Sequence, residues 1–375
     1  MRPEIRTGGT GRLTRGPFVL DDVEAVVLVG GKGTRLRPLT LSAPKPMLPT
    51  AGVPFLAHLL SRIRAAGVRR VVLGTSYLAE TFEEHFGDGE SLDLELTYVV
   101  EDQPLGTGGG IANVAKHLTT ENVMVFNGDV LCGTDLTAVV DTHRRTDADV
   151  TLHLVRVQDP RAYGCVPTDA DGRVQAFLEK TEDPPTDQIN AGCYVFRRSV
   201  IEDIPQGRVV SVERETFPGL LEAGARVSGH VDNAYWRDMG TPADLVHGSA
   251  DLVRGVAPSA ALPGPAGESI VLPGATVAKD AFVFGGTAVG RDAVIGAGAK
   301  VEGCMVFDGA VIEPHAVVES SVVGAGARIE AGAHVRDAVI GDRAVIGAHC
   351  ELKGGVRVWP EVQLPPHGVR FSADV

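Results

Sequence analysis

From Val271 to Val301 an aliphatic residue returns at every sixth position, through Val277, Val283, Val289 and Ile295. Beyond Val301 the spacing settles into a 17-residue cycle with three columns. Val301, Val318, Val335 and Leu352 make one, Val306, Val323 and Ile340 a second, and Ile312, Ile329 and Ile346 a third. Three inward aliphatics per cycle, separated by Gly, Ala, Asp and Glu, specify a three-sided coil of short parallel strands. Each turn must stack on its neighbours, because one turn cannot bury its apolar side alone. A cycle of about 18 residues also equals about five turns of α-helix, but glycine and β-branched residues at this density oppose a helix. The chain holds 46 glycines in 375 residues, with only 12 Phe, 5 Tyr and 2 Trp. Glycine usually stands near about 7%, so small and β-branched side chains must do much of the packing.

Ahead of the coil the grammar is different. EAVVLV (24–29) is a short apolar run bounded by a glycine cluster, as a buried parallel strand should be. PFLAHLLSRIRAAG (54–67) has helical periodicity and a terminal Gly, and RRVVLGTS (69–76) is again a strand. DLELTYVV (93–100), a helical ANVAKHL (112–118) and NVMVFNGD (122–129) continue the alternation. The expectation is an α/β domain with a mostly parallel, Rossmann-like sheet over 23–255 and helices on both faces. Ligands in such sheets bind beyond the carboxyl ends of the strands. Residues 256–268, rich in Pro, Gly and Ala, read as a linker to the repeat domain, 269–375. Residues 1–22 carry Arg2, Arg6, Arg12 and Arg15 without an apolar segment behind them and read as a flexible polar arm rather than a secretory signal.

The net charge of −13 comes with no basic stripe, which argues against nucleic acid as a partner. No uncharged apolar run approaches the roughly 18 residues of a spanning helix, so no membrane association is expected. Cys132, Cys165, Cys193, Cys304 and Cys350 show neither close pairing nor metal-ligand spacing. Reduced thiols and a cytoplasmic location follow as expectations.

After the first strand comes Gly30-Gly31-Lys32-Gly33-Thr34-Arg35-Leu36. Leu36 replaces the last Gly of a Rossmann fingerprint, and the Gly-Lys-Ser/Thr ending of a Walker A loop is missing. What remains is a backbone that can approach a phosphate closely, with a guanidinium projecting from it. Ten residues on, Ala43-Pro44-Lys45-Pro46-Met47-Leu48-Pro49 puts a lysine on a segment whose prolines forbid a helix and favour an extended chain. A stiff segment aims its lysine. Asn127-Gly128-Asp129 and Trp236-Arg237-Asp238-Met239-Gly240 each place a carboxylate near a strand end.

The combination GGxGTRLxPLTxxxPKPMLP resembles the signature of sugar-nucleotide pyrophosphorylases, nucleotidyltransferases acting on sugar 1-phosphates. Within that family it is most similar to the bacterial mannose-1-phosphate guanylyltransferases, and the likeness runs from residue 23 through the repeat tail. The resemblance implies a nucleotidyltransferase domain followed by a left-handed parallel β-helix of hexapeptide-like repeats. It implies the reaction GTP + α-D-mannose 1-phosphate → GDP-mannose + pyrophosphate, and self-association through the β-helix. By the same resemblance Arg35 and Lys45 contact the triphosphate, wrapped by Leu28, Gly30, Gly31, Gly33 and Thr34. Asp129 and Asp238 hold Mg²⁺, Gly164, Glu179 and Asn190 line the hexose, and Lys180 holds its phosphate. Thr181 stands where the family usually has Pro after that lysine.

Glu101 in EDQPLGTGGG occupies a spacing where uridylyl- and thymidylyltransferases commonly place Gln. A carboxylate only accepts hydrogen bonds, which suits the N1–H and exocyclic amine of guanine, so Glu101 is expected to read the base. Gly106, Thr107 and Gly108 are expected to meet the nucleotide through backbone. Alternatives are a related transfer from UTP or dTTP to glucose 1-phosphate, a silent sugar-nucleotide sensor, and an acyltransferase site in the coil using His315, His334 or His349.

Overall fold

The computed structural model describes residues 20–371 apart from Glu179. Residues 1–19 of the expected arm lie outside the described residues. Leu20 is buried in the core, and its N–H donates to Ala66 O, so residues 20–22 already belong to the domain that follows.

That domain runs β1 (Val23–Leu28), α1 (Phe55–Ala65), β2 (Arg70–Thr75), α2 (Glu80–Phe86), β3 (Glu95–Val100), α3 (Gly106–Val114) and β4 (Asn122–Asn127). It continues with β5 (Val130–Cys132), α4 (Leu136–Thr146), β6 (Val150–Arg156), β7 (Gln188–Arg197), α5 (Arg198–Glu202) and α6 (Phe217–Glu222). β8 (Val227–Asp232), β9 (Trp236–Asp238) and α7 (Pro242–Val253) complete it. Seven strands form one sheet in the order β8-β6-β7-β4-β1-β2-β3, with only β7 antiparallel to its neighbours. Alternation along the strands feeds two cores. Ala25, Val27, Val71, Leu73, Met124 and Phe126 face α1, α2 and α4, while Val26, Val72, Val123 and Val125 face α3, α5 and α6. Strands buried on both sides explain their unbroken apolar runs.

Two local readings differ from what the sequence suggested. The helix expected over 112–118 begins at Gly106, so the glycine run is its first turns, and a 3₁₀ turn Ala115–His117 follows. Glycine is a poor helix former, but here it lets the helix press on another segment. A Cβ on Gly109 would stand 2.6 Å from Arg208 O, and one on Gly108 2.7 Å from Val210 Cγ1. The proline-rich segment is not extended throughout, because Lys45–Met47 forms a single 3₁₀ turn. Pro46 fits there, since a first-turn N–H has no partner to lose.

Residues 269–371 form three six-stranded parallel sheets wound as one coil, consistent with the expected left-handed β-helix. Its registers reproduce the three aliphatic columns: Val301↔Val318↔Val335↔Leu352, Val306↔Val323↔Ile340 and Ile312↔Ile329↔Ile346. These side chains fill the interior, and backbone bonds such as Val311 N–H to Ala327 O, 2.8 Å, tie successive turns. Gly324 at a corner is obligatory, as a Cβ there would lie 2.7 Å from Asp342 N of the next turn. Outward residues of the first sheet, Ala288, Met305, Val322 and Val339, are buried too. They share an apolar cluster with Leu36, Leu39, Met239 and Val246 of the first domain. The linker is packed against that domain as well: Ser259 Oγ meets His58 Nδ1 at 2.6 Å, and Pro258 covers Gly133. Among the described residues no helix is long and apolar enough to cross a membrane.

Candidate active site

The first strand delivers its glycine loop to the carboxyl edge of the sheet, where Thr34–Leu36 makes a 3₁₀ turn that buries Leu36 and leaves Arg35 exposed. Gly33 enters that turn at φ 57, in the region that favours glycine. A Cβ on it would sit 3.0 Å from Thr40 Cγ2 and 3.1 Å from Lys45 Cβ, so the absent side chain lets the two signature segments close on each other. Thr40 Oγ1 donates to Gly33 O at 2.8 Å and secures the closure. Gly30 is pressed by Ser76, whereas Gly31 faces open space with no atom within 4 Å of a would-be Cβ. Gly31 is thus the glycine of this loop with room for a ligand.

The two aspartates meet because β5 and β9 pair antiparallel, Val130 opposite Asp238. Met239 N–H donates to Asp129 O at 3.0 Å and locks the register. Gly128 allows the β4 end to approach Leu28, whose carbonyl oxygen would lie 2.6 Å from a Cβ at that position and accepts the Gly128 N–H at 2.9 Å. Lys45, 7% exposed, puts Nζ 2.9 Å from Asp129 Oδ2 and 4.0 Å from Asp238 Oδ1. Arg35 arrives from the other side. A Cβ on Gly240 would stand 2.9 Å from Arg35 Nη2 and 3.0 Å from Asp238 Oδ2, so guanidinium and carboxylate lie together over that glycine. Burial pushes the Asp238 carboxyl above its ordinary range, and the Asp129 charge adds to this, while Lys45 and Arg35 act against it. Arg237 turns away to Asp244 and Asp251.

A cleft of about 720 Å³ opens beside this cluster. Its walls include Arg35, Gly106, Thr107, Gly164, Lys180, Asn190 and Asp238 of the expected residues. Lys45 joins it by reaching Asp238, and Asp129 joins it through Lys45; Glu179 lies outside the described residues. Asn190 is held in place, Nδ2 donating to Tyr194 OH at 2.7 Å and Oδ1 accepting from Gly192 N–H at 3.1 Å. Trp236 braces the same strand by donating Nε1–H to Ala191 O at 3.1 Å, and it packs edge-on against Tyr163 at 5.3 Å. Leu28, Gly30, Gly31, Gly33, Thr34 and Glu101 are not among the cleft walls. Glu101 accepts the Leu105 N–H at 3.3 Å and turns its other oxygen toward Gly110.

Sequence reasoning missed Ser211, Glu213, Thr241 and Asp244, which also line the cleft. Glu213 projects from a π-helical turn, Val212–Thr216, and its Oε2 accepts from Thr107 Oγ1 at 2.9 Å and Ser211 Oγ at 2.8 Å. No local signal marks it for the cleft, because Thr107, the partner that ties it to the expected nucleotide side, lies 106 residues away in sequence. Thr241 could have been found as an N-cap: Thr-Pro-Ala-Asp opens α7, with Thr241 Oγ1 accepting from Asp244 N–H. In the coil His315 and His349 sit at corners with positive φ, stacked over Gly298 and Gly332 of the preceding turn. Among the described residues no group of three or more His, Cys, Asp or Glu side chains gathers as a metal site.

Comparison with known proteins places this geometry in a family. Residues 24–255 match the nucleotidyl transferase family model, and residues 266–372 match the GMPPB C-terminal domain. A mannose-1-phosphate guanylyltransferase of Mycobacterium tuberculosis is 67% identical over 354 residues, 94% of this chain and 99% of the relative. The catalytic subunit beta of the Danio rerio mannose-1-phosphate guanylyltransferase is 33% identical over 78% of this chain and 84% of its own length. The crystal structure of HddC from Yersinia pseudotuberculosis, complexed with GMP-PN, superposes with a TM-score of 0.54 at 31% identity, over 61% of this chain and 99% of HddC. The sheet, the strand-edge cluster of two cations and two carboxylates, and these matches lead to one conclusion: the chain belongs to the nucleotidyl transferase family.

Proposed function

We propose that the protein is a mannose-1-phosphate guanylyltransferase, converting GTP and α-D-mannose 1-phosphate to GDP-mannose and pyrophosphate. The observation that carries this reading is the 67% identity, over nearly the full length of both chains, to an enzyme of that name. The chemistry agrees. A phosphate oxygen of the sugar 1-phosphate attacks the α-phosphorus in line, the bond to the β-phosphate oxygen breaks, and pyrophosphate leaves with the electron pair. The attacking oxygen is already anionic, so no general base is required. What the protein must supply is alignment and positive charge between two polyanions. Arg35 and Lys45 supply charge on the triphosphate side, and Lys180 supplies it on the sugar phosphate. Gly164, Asn190 and Glu179 bind the hexose, and Gly30, Gly31, Gly33, Thr34, Gly106 and Thr107 cradle the nucleotide.

Asp129 and Asp238 fit Mg²⁺: both are hard oxygen donors, the Asp129 charge is near enough to raise the Asp238 carboxyl, and two protein carboxylates suit an ion that keeps several waters. When bound, Mg²⁺ neutralises phosphate charge and orients the phosphate oxygens. In this reading the Lys45 and Arg35 charges offset the repulsion between the two carboxylates. The five cysteines, all free, suit a cytoplasmic setting, and the β-helix offers surface for self-association. The test is pyrophosphate release from GTP, UTP and dTTP against mannose and glucose 1-phosphates. GTP with mannose 1-phosphate is expected to give the highest kcat/KM, and preference for another pair would replace this assignment. Glu101→Gln should weaken the choice of GTP over UTP; an unchanged ratio removes Glu101 as the base reader.

A further inference from the structure

We infer that Arg357, a residue of the β-helix, is a positioning residue for nucleotidyl transfer, holding the backbone from which Arg35 projects. The inference rests on the function proposed above. Arg357 Nη1 donates to two carbonyls of the signature loop, Arg35 O at 2.8 Å and Arg37 O at 2.8 Å. A guanidinium bridging residues on either side of Leu36 fixes the direction in which the intervening turn faces. Leu36 itself is buried in the cluster shared with Met305, Val322 and Val339 of the coil. A second clasp lies at the end of the same segment, where Ser42 Oγ donates to Asp342 Oδ2 at 2.9 Å. The loop that presents Arg35 is therefore gripped at both ends by the β-helix, through side chains about three hundred residues away.

Arg35 is thus restrained twice. Arg357 holds its carbonyl, while its guanidinium lies over Gly240 beside Asp238 in the cleft. Freeing the backbone end lets the tip wander relative to the carboxylates and the phosphates it must meet. In HddC the matched region amounts to 61% of this chain and 99% of that protein, so the clasp is an addition to the shared domain rather than part of it. Arg357 also lines a cavity of about 280 Å³ with Thr241 and His247, which leaves room for a replacement side chain without a clash.

The test uses the full-length enzyme with Arg357→Met, Arg357→Lys and, as a control at the same domain contact, Val339→Ala. Kinetics of GTP and mannose 1-phosphate turnover are read beside Tm and beside hydrogen exchange of the 34–42 peptide. For Arg357→Met, kcat is expected to fall about 10-fold, since displacement of a contact by a fraction of an ångström is costly. KM for mannose 1-phosphate should stay within about twofold, because that substrate's own contacts are untouched. Exchange of the 34–42 peptide should quicken, and Arg357→Lys, with one ammonium for two carbonyls, should recover part of both effects. Val339→Ala should lower Tm without lowering kcat. Wild-type kcat and wild-type exchange in Arg357→Met would overturn the inference. So would a kcat loss in Val339→Ala that tracks Tm as it does in Arg357→Met. If the wild-type enzyme turns over neither substrate, the functional assignment fails, while the exchange comparison still decides the role of Arg357 in ordering the loop.

Discussion

Replacing Gly240 by Ala should cripple the enzyme while leaving its fold nearly intact. Gly240 is not among the glycines with positive φ, so alanine meets no backbone strain there. The new Cβ would stand 2.9 Å from Arg35 Nη2, 3.1 Å from Arg35 Cζ and 3.0 Å from Asp238 Oδ2. Ordinary heavy-atom contacts lie near about 3.5 Å, so the guanidinium must retreat by roughly 0.5–1 Å. That retreat is inexpensive for stability, because the displaced atoms are the far end of a flexible side chain. The alanine also removes unfolded-chain freedom worth about 0.4–1 kcal/mol. The two effects nearly offset, and Tm should move by no more than about 3 °C. Catalysis has no such offset. A misplacement of about 1 Å costs on the order of 100-fold, and outright loss of a charge-stabilising group about 100- to 1000-fold. Gly240→Ala should therefore lower kcat by roughly 10- to 100-fold, read as pyrophosphate release beside a thermal melt. In an Arg35→Ala background the same substitution should add less than about threefold, because both act on one group. A single variant within threefold of wild type would refute the argument. So would a double variant more than about tenfold below Arg35→Ala, since the damage would then lie with Asp238.

Other expectations follow from the same geometry. Asp238→Asn should raise the Mg²⁺ concentration needed for half-maximal rate by about tenfold or more, measured by titrating Mg²⁺ at saturating substrates, whereas Asp244→Asn should leave it unchanged. Thermal stability should decline between pH 6.5 and about 9 through His153. Burial alone would lower its pKa, but donation to Asp232 at 3.0 Å and the neighbouring Cys132 raise it to about 9. The charged form is favoured by folding, so its contribution is complete below 6.5 and is lost as pH rises through 9. Melts from pH 6 to pH 10 should show a slope that Asp232→Asn flattens. Ile329→Ala, at a fully buried column position in mid-coil, should cost about 2–5 kcal/mol in urea melts. Its kcat at 25 °C should remain that of wild type, because the column does not touch the clasp at Arg357.

Periodicity made the architecture legible. A repeat of one aliphatic per short strand can bury itself only by stacking, so the spacing of Val301, Val318, Val335 and Leu352 already aligns them in one column. The apolar runs of β1, β2 and β4 announced a sheet covered on both faces for the same reason. Arg35, Lys45, Asp129 and Asp238 are singled out by resemblance to the family's signature segments, since a carboxylate at a strand end can equally cap a helix or pair at the surface. What could not be read was anything settled by distant contacts. The glycines before Ile111 lie in a helix whose close packing on Arg208 and Val210 leaves no room for a Cβ, and Glu213 is tied to the cleft by Thr107 across the fold. Gly240 is a glycine because Arg35 lies over it, and Arg357 grips the Arg35 loop from the far end of the chain. Repeat spacing and apolar runs thus specify a layered sheet, a stacked coil and the charges available to them. Which charges stand together, and what holds them there, is set by the folded chain, because hydrogen bonds and steric limits act over a few ångströms regardless of how far apart the residues lie in sequence.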